Sequence, residues 1–316
     1  MNTLLATTVA ALAAVTTTAA DATTPQRVTF ESDGEALIGN LYVPEDDTPA
    51  ATFIIIGPMT YQMGQAPTQY AKRLAQAGYA ALVFDVRGRG ESGGAVRAIE
   101  SPSQKIEDLN SAVGFVRDHE ALGSRPIIAL GICQGSSYVV HSVAFNADIA
   151  AGVTVAGHYR DRAGDFAWLT PAGFEARLAR GDAARARFQS TGTVEYVRAV
   201  DPVDTNVGMP GKFVYDWYGP WADRGEWDNR YAVMSDAELL RFETLGAAGQ
   251  VDKPYLMIHS DRSFLPYAAR RHFDAMPSAT KQMLWEGDTP HLAYYDDADV
   301  LDRTVASIVT WARNLN

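Results

Sequence analysis

The segment IIALGICQGSS at positions 127–137 decides the fold of this 316-residue chain. It begins as a buried strand, because Pro126 introduces an apolar run that opens with two β-branched isoleucines. It then passes through Gly131-Ile132-Cys133-Gln134-Gly135 into an apolar stretch, 137–145, that predicts a helix. A strand, a tight turn and a helix therefore follow one another, with the only cysteine of the chain at the turn.

This order of elements is that of a nucleophile elbow, in which a reactive side chain stands on a strained turn. The usual pattern is Gly-x-Ser-x-Gly, and here Cys133 takes the nucleophile position. Glycine is expected at 131 and 135 because side chains there would collide with the strand and the helix. The alternative is that Cys133 is a small buried hydrophobic residue, as free cysteines often are.

Composition and charge limit the class of protein. The length allows one large α/β domain with an insertion, or two small domains, and 47% hydrophobic residues supply a substantial core. A net charge of −11 argues against nucleic acid or an anionic membrane as partner. One cysteine forms no intramolecular disulfide, so cysteine usage does not settle the compartment. No metal-ligand cluster or phosphate-binding glycine loop is found, so no metal or cofactor is predicted.

The first 26 residues stand apart from the rest. Residues 1–20 carry no charge, their apolar part 4–15 is long enough for a signal-peptide core, and Thr18-Ala19-Ala20 resembles a cleavage site. No Lys or Arg precedes Arg27, so a signal peptide and a disordered leader both stay open, with 21–26 as a linker. We favour a secreted or periplasmic location over a cytoplasmic one. The segment is too short and too rich in threonine for a membrane span.

Strands and helices alternate over 27–163 and 250–316, which predicts an α/β core with a mostly parallel central sheet and helices on both faces. A hairpin turn is expected at Asp33-Gly34. Buried strands are predicted at 52–56, 80–84, 127–132, 149–156, 254–259 and 281–285, and helices ending near 78 and over 108–119, 137–145, 266–276 and 299–313.

The alternation breaks over 164–249, which is helical in pattern and rich in aromatic residues. We interpret this stretch as a helical cap inserted over the ends of the strands. The alternative is a helical subdomain with its own aromatic core, and the two interpretations are compatible. Candidate pocket residues are Trp217 and Trp221 in the cap, with His158 and Tyr159 after the preceding strand.

A thiol nucleophile needs help from other side chains. The thiolate is the reactive form, an imidazole takes its proton, and an acid fixes the tautomer of that imidazole. The carboxyl ends of parallel strands meet at one edge of a sheet, and Cys133, Asp261 and His291 each follow a strand there. Asp261 comes early in its loop, with Ser263 near the usual position of the acid, so Asp161 stays open as a substitute.

An oxyanion hole needs two backbone N–H groups that face the developing negative charge. The first is expected from Gln134, the residue after the nucleophile. The second is expected from the loop after the 52–56 strand, where Pro58 has no N–H and Met59 is the choice, with Thr60 behind it.

These residues resemble the α/β-hydrolase superfamily over about 27–316, less the cap. The resemblance rests on the 131–135 elbow, the loop DVRGRGES at 85–92, Asp261 and His291. A cysteine elbow with Asp and His is similar to dienelactone hydrolase, a family with a Cys-Asp-His triad that hydrolyses an enol lactone. The resemblance implies Cys133 as nucleophile, Asp261 as acid and His291 as base. The aromatic insertion and the N-terminal segment look closer to bacterial hydrolases related to dienelactone hydrolase and acyl peptidases.

The expected function is hydrolysis of a carboxylic ester, lactone or thioester through an acyl-thioenzyme on this triad. An acyltransferase or cyclase on the same triad is an alternative, because an acyl-thioenzyme can pass its acyl group to acceptors other than water. A second alternative is a hydrolase homologue that binds a ligand without catalysis. The expected partner is a small molecule, and the sequence does not indicate an oligomeric state.

Overall fold

The computed structural model describes residues 24–44 and 48–315. The predicted signal peptide or leader, 1–20, and the first part of the linker lie outside the described residues. Within the described ranges, no helix has the length and apolar character needed to cross a membrane.

The described chain is built around one sheet of eight strands. In chain order, the strands of the described residues are β1 Gln26–Ser32, β2 Glu35–Tyr42, β3 Thr52–Ile56, β4 Ala80–Phe84, β5 Ile127–Ile132, β6 Ile149–Val155, β7 Tyr196–Arg198, β8 Arg230–Ala232, β9 Tyr255–His259 and β10 Lys281–Trp285. All of these except β7 and β8 belong to the eight-stranded sheet. The sheet has the order β1-β2-β4-β3-β5-β6-β9-β10. Strand β2 runs antiparallel to β1 and β4, and every other neighbouring pair is parallel. The predicted mostly parallel sheet is therefore confirmed.

Helices cover the sheet on both sides. In chain order, the helices of the described residues are α1 Ala66–Gln76, α2 Pro102–Asp118, α3 Gly135–Phe145, α4 Arg162–Leu169, α5 Pro171–Thr191, α6 Lys212–Asp223, α7 Ser235–Leu239, α8 Leu245–Ala248, α9 Pro266–Ala275, α10 Ala293–Asp296 and α11 Ala298–Ala312, followed by a 3-10 turn at Arg313–Leu315. Helices α4 to α8 belong to the insertion between β6 and β9. Strand β3 shows the layering, since Phe53 and Ile55 join a core with α1 and α11. Ile54 and Ile56 join the opposite core with α2, α3 and α9. A strand buried on both faces is apolar throughout, as its sequence predicted.

Two boundaries differ from the prediction. Helix α2 begins at Pro102 rather than 108, because the Ser101 side chain accepts the Gln104 N–H and proline suits the first helical turn. The insertion between β6 and β9 is mostly helical, but it also contains an antiparallel pair, β7 with β8, that no sequence pattern predicted.

A buried carboxylate ties the insertion together. Asp236 on α7 is fully buried and accepts hydrogen bonds from Arg177 (2.7 Å) and Arg180 (2.9 Å) on α5 and from the Tyr231 hydroxyl (2.7 Å) on β8. Burial by itself raises the pKa of Asp236, but Arg177 and the other donors outweigh it and hold the pKa below its usual value. The ionised carboxylate therefore stabilises the folded insertion.

Asp236→Asn is expected to lower the free energy of unfolding by about 3 kcal/mol at pH 7, because it leaves a largely buried cation without its counter-charge. The folded-state pKa of Asp236 lies below the unfolded value of about 3.9, so this stabilisation is complete above that pH and is lost as pH falls. Urea unfolding at pH 7 and pH 3 should show the difference between variant and wild type shrinking. The control is Asp182→Asn, an exposed partner of Arg241, which should cost about 1 kcal/mol or less. Equal effects of the two variants would contradict this account.

Candidate active site

Cys133 stands on a strained turn between β5 and α3. Its φ is 51°, a left-handed conformation that L-residues rarely adopt. A Cβ at Gly131 would lie 2.6 Å from the backbone carbon of Gly135, and one at Gly135 would lie 2.4 Å from the Ile56 carbonyl oxygen. Both flanking positions therefore require glycine, and the local geometry is that of a nucleophile elbow.

The structure brings both predicted oxyanion amides to the Cys133 sulfur. The backbone N–H groups of Gln134 and Met59 face this atom, and hydrogen bonding from them lowers the pKa of the thiol. Thr60, next in the β3–α1 loop, has a φ of 63°, which is strained for a β-branched residue. The loop keeps this shape with help from the insertion. The Tyr218 hydroxyl donates to the Met59 carbonyl (3.1 Å), and the Trp227 indole donates to the Thr60 carbonyl (2.7 Å).

The Tyr295 hydroxyl links His291 to Cys133, and the predictions from sequence did not include this tyrosine. Its Nε2 lies 3.0 Å from the Tyr295 hydroxyl, and the same hydroxyl faces the Cys133 sulfur, where hydrogen bonding to it lowers the thiol pKa. Tyr295 is buried on the short helix α10. The spacing of four residues from His291 was the available signal, since it places both side chains on one face of a helical turn.

The other nitrogen of His291 accepts a backbone hydrogen bond. The Phe264 N–H donates to Nδ1 over 3.2 Å, so in the neutral ring the proton belongs on Nε2, which faces Tyr295. Burial, with a smaller contribution from His259, lowers the pKa of His291 below its ordinary value. The ring is thus neutral in this arrangement, with its N–H directed toward the nucleophile.

The structure does not place the predicted acid, Asp261, against His291. Its carboxylate accepts the Trp285 indole N–H (2.9 Å), lies 3.9 Å from Arg270, and is 64% exposed. The Phe264 N–H occupies the position on Nδ1 that a triad acid would take. Among the described residues, no carboxylate hydrogen-bonds to either ring nitrogen of His291.

Asp161, the alternative acid, is also engaged elsewhere. Its carboxylate caps α4 by accepting the Gly164 N–H (2.6 Å) and pairs with Arg271 through two bonds of 2.8 and 2.9 Å. In the loop after β9, the Ser263 hydroxyl lies 2.7 Å from that of Ser260. Ser263 therefore stands near the position where the acid is usually found, and the carboxylate of Asp261 points outward.

The electrostatic environment keeps Cys133 protonated at rest. Burial raises its thiol pKa above the ordinary value, and Tyr295, the two amides and the buried Lys105 offset that rise only in part. Lys105 is itself paired with the buried Glu100. Within the described ranges, no group of three or more metal-binding side chains is found.

A largely apolar cavity of about 160 Å³ opens above the sulfur. It is lined by Met59, Cys133, His158, Trp168, Met209, Pro210, Phe213, Val214, Tyr218, Phe264, His291, Leu292 and Tyr295. A shallower cavity next to it shares Trp168, Phe213, Phe264 and His291 and adds the exposed Arg262. The two cavities are therefore adjacent, and the second lies on the more open side.

Of the four predicted pocket residues, the structure places only His158 in this lining. Tyr159 is fully buried with its hydroxyl bonded to Thr154 (2.7 Å), because the chain turns its side chain back toward the sheet. Trp217 donates to Asp296 (2.7 Å) and packs on Tyr295 from outside, and Trp221 packs against Trp217. Neither tryptophan lines the cavity.

The strand order, the single antiparallel strand β2 and the elbow after β5 define the class of this protein, which has the α/β-hydrolase fold. A family model described as serine aminopeptidase, S33, matches residues 42–182, a region that ends within the insertion.

Comparison with known proteins supports the same fold. The chain is 25% identical over 292 residues to the uncharacterized protein PA2218 of Pseudomonas aeruginosa, covering 87% of this chain and 76% of that one. The crystal structure of PA2218 has a TM-score of 0.80 at 22% identity, covering 92% and 94% of the two chains. The α/β hydrolase GrgF from Penicillium sp. has a TM-score of 0.77 at 20% identity over 92% and 98%. The structure of DcsB in complex with a substrate analogue gives 0.78 at 18% identity over 92% and 99%.

Tyr295→Phe is expected to make the Cys133 thiol less reactive. Removal of the hydroxyl removes a hydrogen bond that favours the thiolate, so the thiol pKa should rise and the thiolate fraction at pH 8 should fall. The measurement is the rate of iodoacetamide alkylation from pH 6 to 11, in which the variant's midpoint should move upward and its rate at pH 8 fall several-fold. Tyr294→Phe is the matched control, because that hydroxyl bonds Glu286 instead. Identical profiles for Tyr295→Phe and wild type would refute the contact.

Proposed function

We propose that this protein is a hydrolase of carboxylic esters, lactones or thioesters that works through an acyl-thioenzyme on Cys133. The observation that carries the proposal is the convergence on one sulfur of two backbone amides, at an elbow strained in the usual way for a nucleophile. The apolar cavity above the sulfur supports an acyl group of largely hydrocarbon character.

In the proposed acylation step, the Cys133 sulfur attacks the substrate carbonyl carbon and a carbon–sulfur bond forms. The carbonyl oxygen takes the negative charge and is held by the Met59 and Gln134 N–H groups. The thiol proton passes toward His291 Nε2 through the Tyr295 hydroxyl. For Nε2 to accept this proton, the neutral ring must first change tautomer, since it carries only one proton. Nε2 gives its proton to water and Nδ1 takes one from water, which replaces the hydrogen bond from the Phe264 N–H. The carbon–oxygen or carbon–sulfur bond of the substrate then breaks, and the leaving group takes a proton from Nε2.

In the deacylation step, water adds to the thioester carbonyl while His291 accepts its proton, and the carbon–sulfur bond breaks to release the acid. The Cys133 sulfur then takes the proton back from His291 Nε2 through the Tyr295 hydroxyl, which restores the thiol and the neutral ring. His291 and Tyr295 act in both steps as a pair, without a carboxylate behind the histidine. Neither Asp261 nor Asp161 has a part in this mechanism, since each carboxylate is bonded to other groups.

A second candidate function is transfer of the acyl group to an acceptor other than water. It is favoured by the apolar lining of the cavity and by the name of one relative, the polyketide transferase GrgF of Penicillium sp., which is 30% identical over 86 residues. Product analysis with and without added thiols and alcohols separates the two functions, because transfer yields a new ester or thioester in place of the free acid.

Brief exposure to p-nitrophenyl hexanoate should add one acyl mass to the wild-type protein, as measured by intact-mass spectrometry. Cys133→Ala should show no adduct, since it lacks the sulfur, and His291→Ala should form the adduct at least about 100-fold more slowly, having lost the proton acceptor. Absence of any adduct and of any ester turnover in the wild type would overturn the proposal for such esters.

Asp261→Asn is expected to leave kcat/KM for the same ester within about threefold of the wild-type value, because the carboxylate does not contact His291. A true triad acid replaced in this way costs about 10⁴-fold. The steady-state rates of Asp261→Asn and Asp161→Asn, compared at pH 7, test this point. A loss of that size in Asp261→Asn, with the fold retained by circular dichroism, would restore the triad and contradict the arrangement described here.

A further inference from the structure

One polar side chain in the cavity has no hydrogen-bond partner. His158 follows β6, is 4% exposed, and lines the same cavity as Cys133. Its backbone is well held, since its N–H donates to the Cys133 carbonyl and its own carbonyl accepts the Ser137 hydroxyl. Within the described chain, however, the ring Nε2 is completely buried and has no hydrogen-bond partner.

The two fully buried histidines, His259 and His272, have both ring nitrogens paired. The ring nitrogens of His259 lie 3.0 and 3.1 Å from the Ser260 and Gly157 carbonyl oxygens. Those of His272 lie 2.8 Å from the Ala268 carbonyl and 3.0 Å from the Thr244 hydroxyl. Buried polar groups are normally paired, and an unpaired one calls for an explanation such as a ligand.

The ring of His158 is held by apolar contacts alone. The Phe264 ring lies edge-on at 4.6 Å between centroids, and the Trp168 indole lies edge-on at 5.9 Å. Burial, with smaller contributions from the nearby Arg160 and His291, lowers the pKa of His158 well below its ordinary value, so its imidazole is neutral at pH 7. A neutral imidazole offers one N–H donor and one acceptor nitrogen in a fixed place. This pair suits a hydroxyl or a carbonyl oxygen.

We propose that the cavity takes acyl groups bearing a hydroxyl or carbonyl oxygen, and that the His158 imidazole recognises this oxygen. This inference rests on the proposed function, which makes the ligand an acyl group. It adds the class of acyl group that binds. A cavity of about 150 Å³ accommodates benzene, so the 160 Å³ space fits a chain of about six carbons. The other hydrogen-bonding side chains of the cavity wall, His291, Tyr218 and Tyr295, are already paired, which leaves His158 to select for the oxygen.

The test compares p-nitrophenyl hexanoate with its 2-hydroxy, 3-hydroxy and 3-oxo derivatives. Wild-type protein should prefer at least one oxygenated ester by about tenfold or more in kcat/KM, since a site built to pair a polar group rejects the analogue that lacks it. In His158→Phe, which keeps an aromatic ring but no nitrogen, the ratio should fall below about twofold. In His158→Gln, whose amide both donates and accepts, part of the preference should return.

The ratio within each variant is the informative quantity, because misfolding or a general loss of activity lowers both rates together. His141→Phe is the matched control, a histidine on α3 whose Nδ1 is also buried and unpaired but which lines neither cavity. It should keep the wild-type ratio. A wild type with no preference for any oxygenated ester, or a preference that survives in His158→Phe, would overturn the inference.

Binding separates this inference from the proposed function. Calorimetry on Cys133→Ala with hexanamide and 3-hydroxyhexanamide, which are not hydrolysed, should show the hydroxylated amide binding about tenfold more tightly. Introducing His158→Phe should abolish that difference. If binding discriminates while no ester forms an adduct on wild type, the inference stands and the hydrolase proposal fails. If adducts form on the wild type but neither binding nor rates distinguish the oxygenated compounds from the plain ones, the hydrolase proposal stands and the inference fails.

Discussion

The close approach of the elbow to the end of β3 is the constraint on which the site depends. With 2.4 Å between a Cβ at Gly135 and the Ile56 carbonyl oxygen, only glycine lets α3 begin there. The left-handed Cys133 costs about 1–3 kcal/mol. Backbone bonds to the Val155 carbonyl and from the His158 N–H hold it in place. Cys133, the loop after β3 and the loop after β6 therefore meet at one closely packed junction.

Around that junction, burial and hydrogen bonding act against each other. Burial favours the neutral thiol and the neutral imidazole, while Tyr295 and two amides favour the thiolate. The balance leaves Cys133 as a thiol and leaves His291 Nδ1 as the acceptor of the Phe264 N–H. A histidine held by a backbone amide differs from one held by a carboxylate, because the amide stabilises the neutral ring and opposes the imidazolium.

Local sequence patterns predicted much of the fold. Apolar runs located the strands of the main sheet, and glycine spacing located the elbow, because both depend on near neighbours. The order β4-β3-β5 depends on long-range pairing that no local pattern contains. The acid was assigned from loop position alone, and Asp261 turned outward to Trp285. The aromatic content predicted a pocket but not which rings face it, so Trp217 was named and Tyr218, its neighbour, lines the cavity.

The bonds from Tyr218 and Trp227 to the Met59 and Thr60 carbonyls have a kinetic consequence. Tyr218 lies on α6 and Trp227 in the segment that follows it, so a rigid-body opening of this part of the insertion would break both bonds and is a costly route for ligand exchange. Phe213, 56% exposed, lines both cavities and takes part in neither of these bonds. Exposed side chains change rotamer within picoseconds to nanoseconds, much faster than a domain moves, so a ligand path past Phe213 would not depend on motion of the insertion.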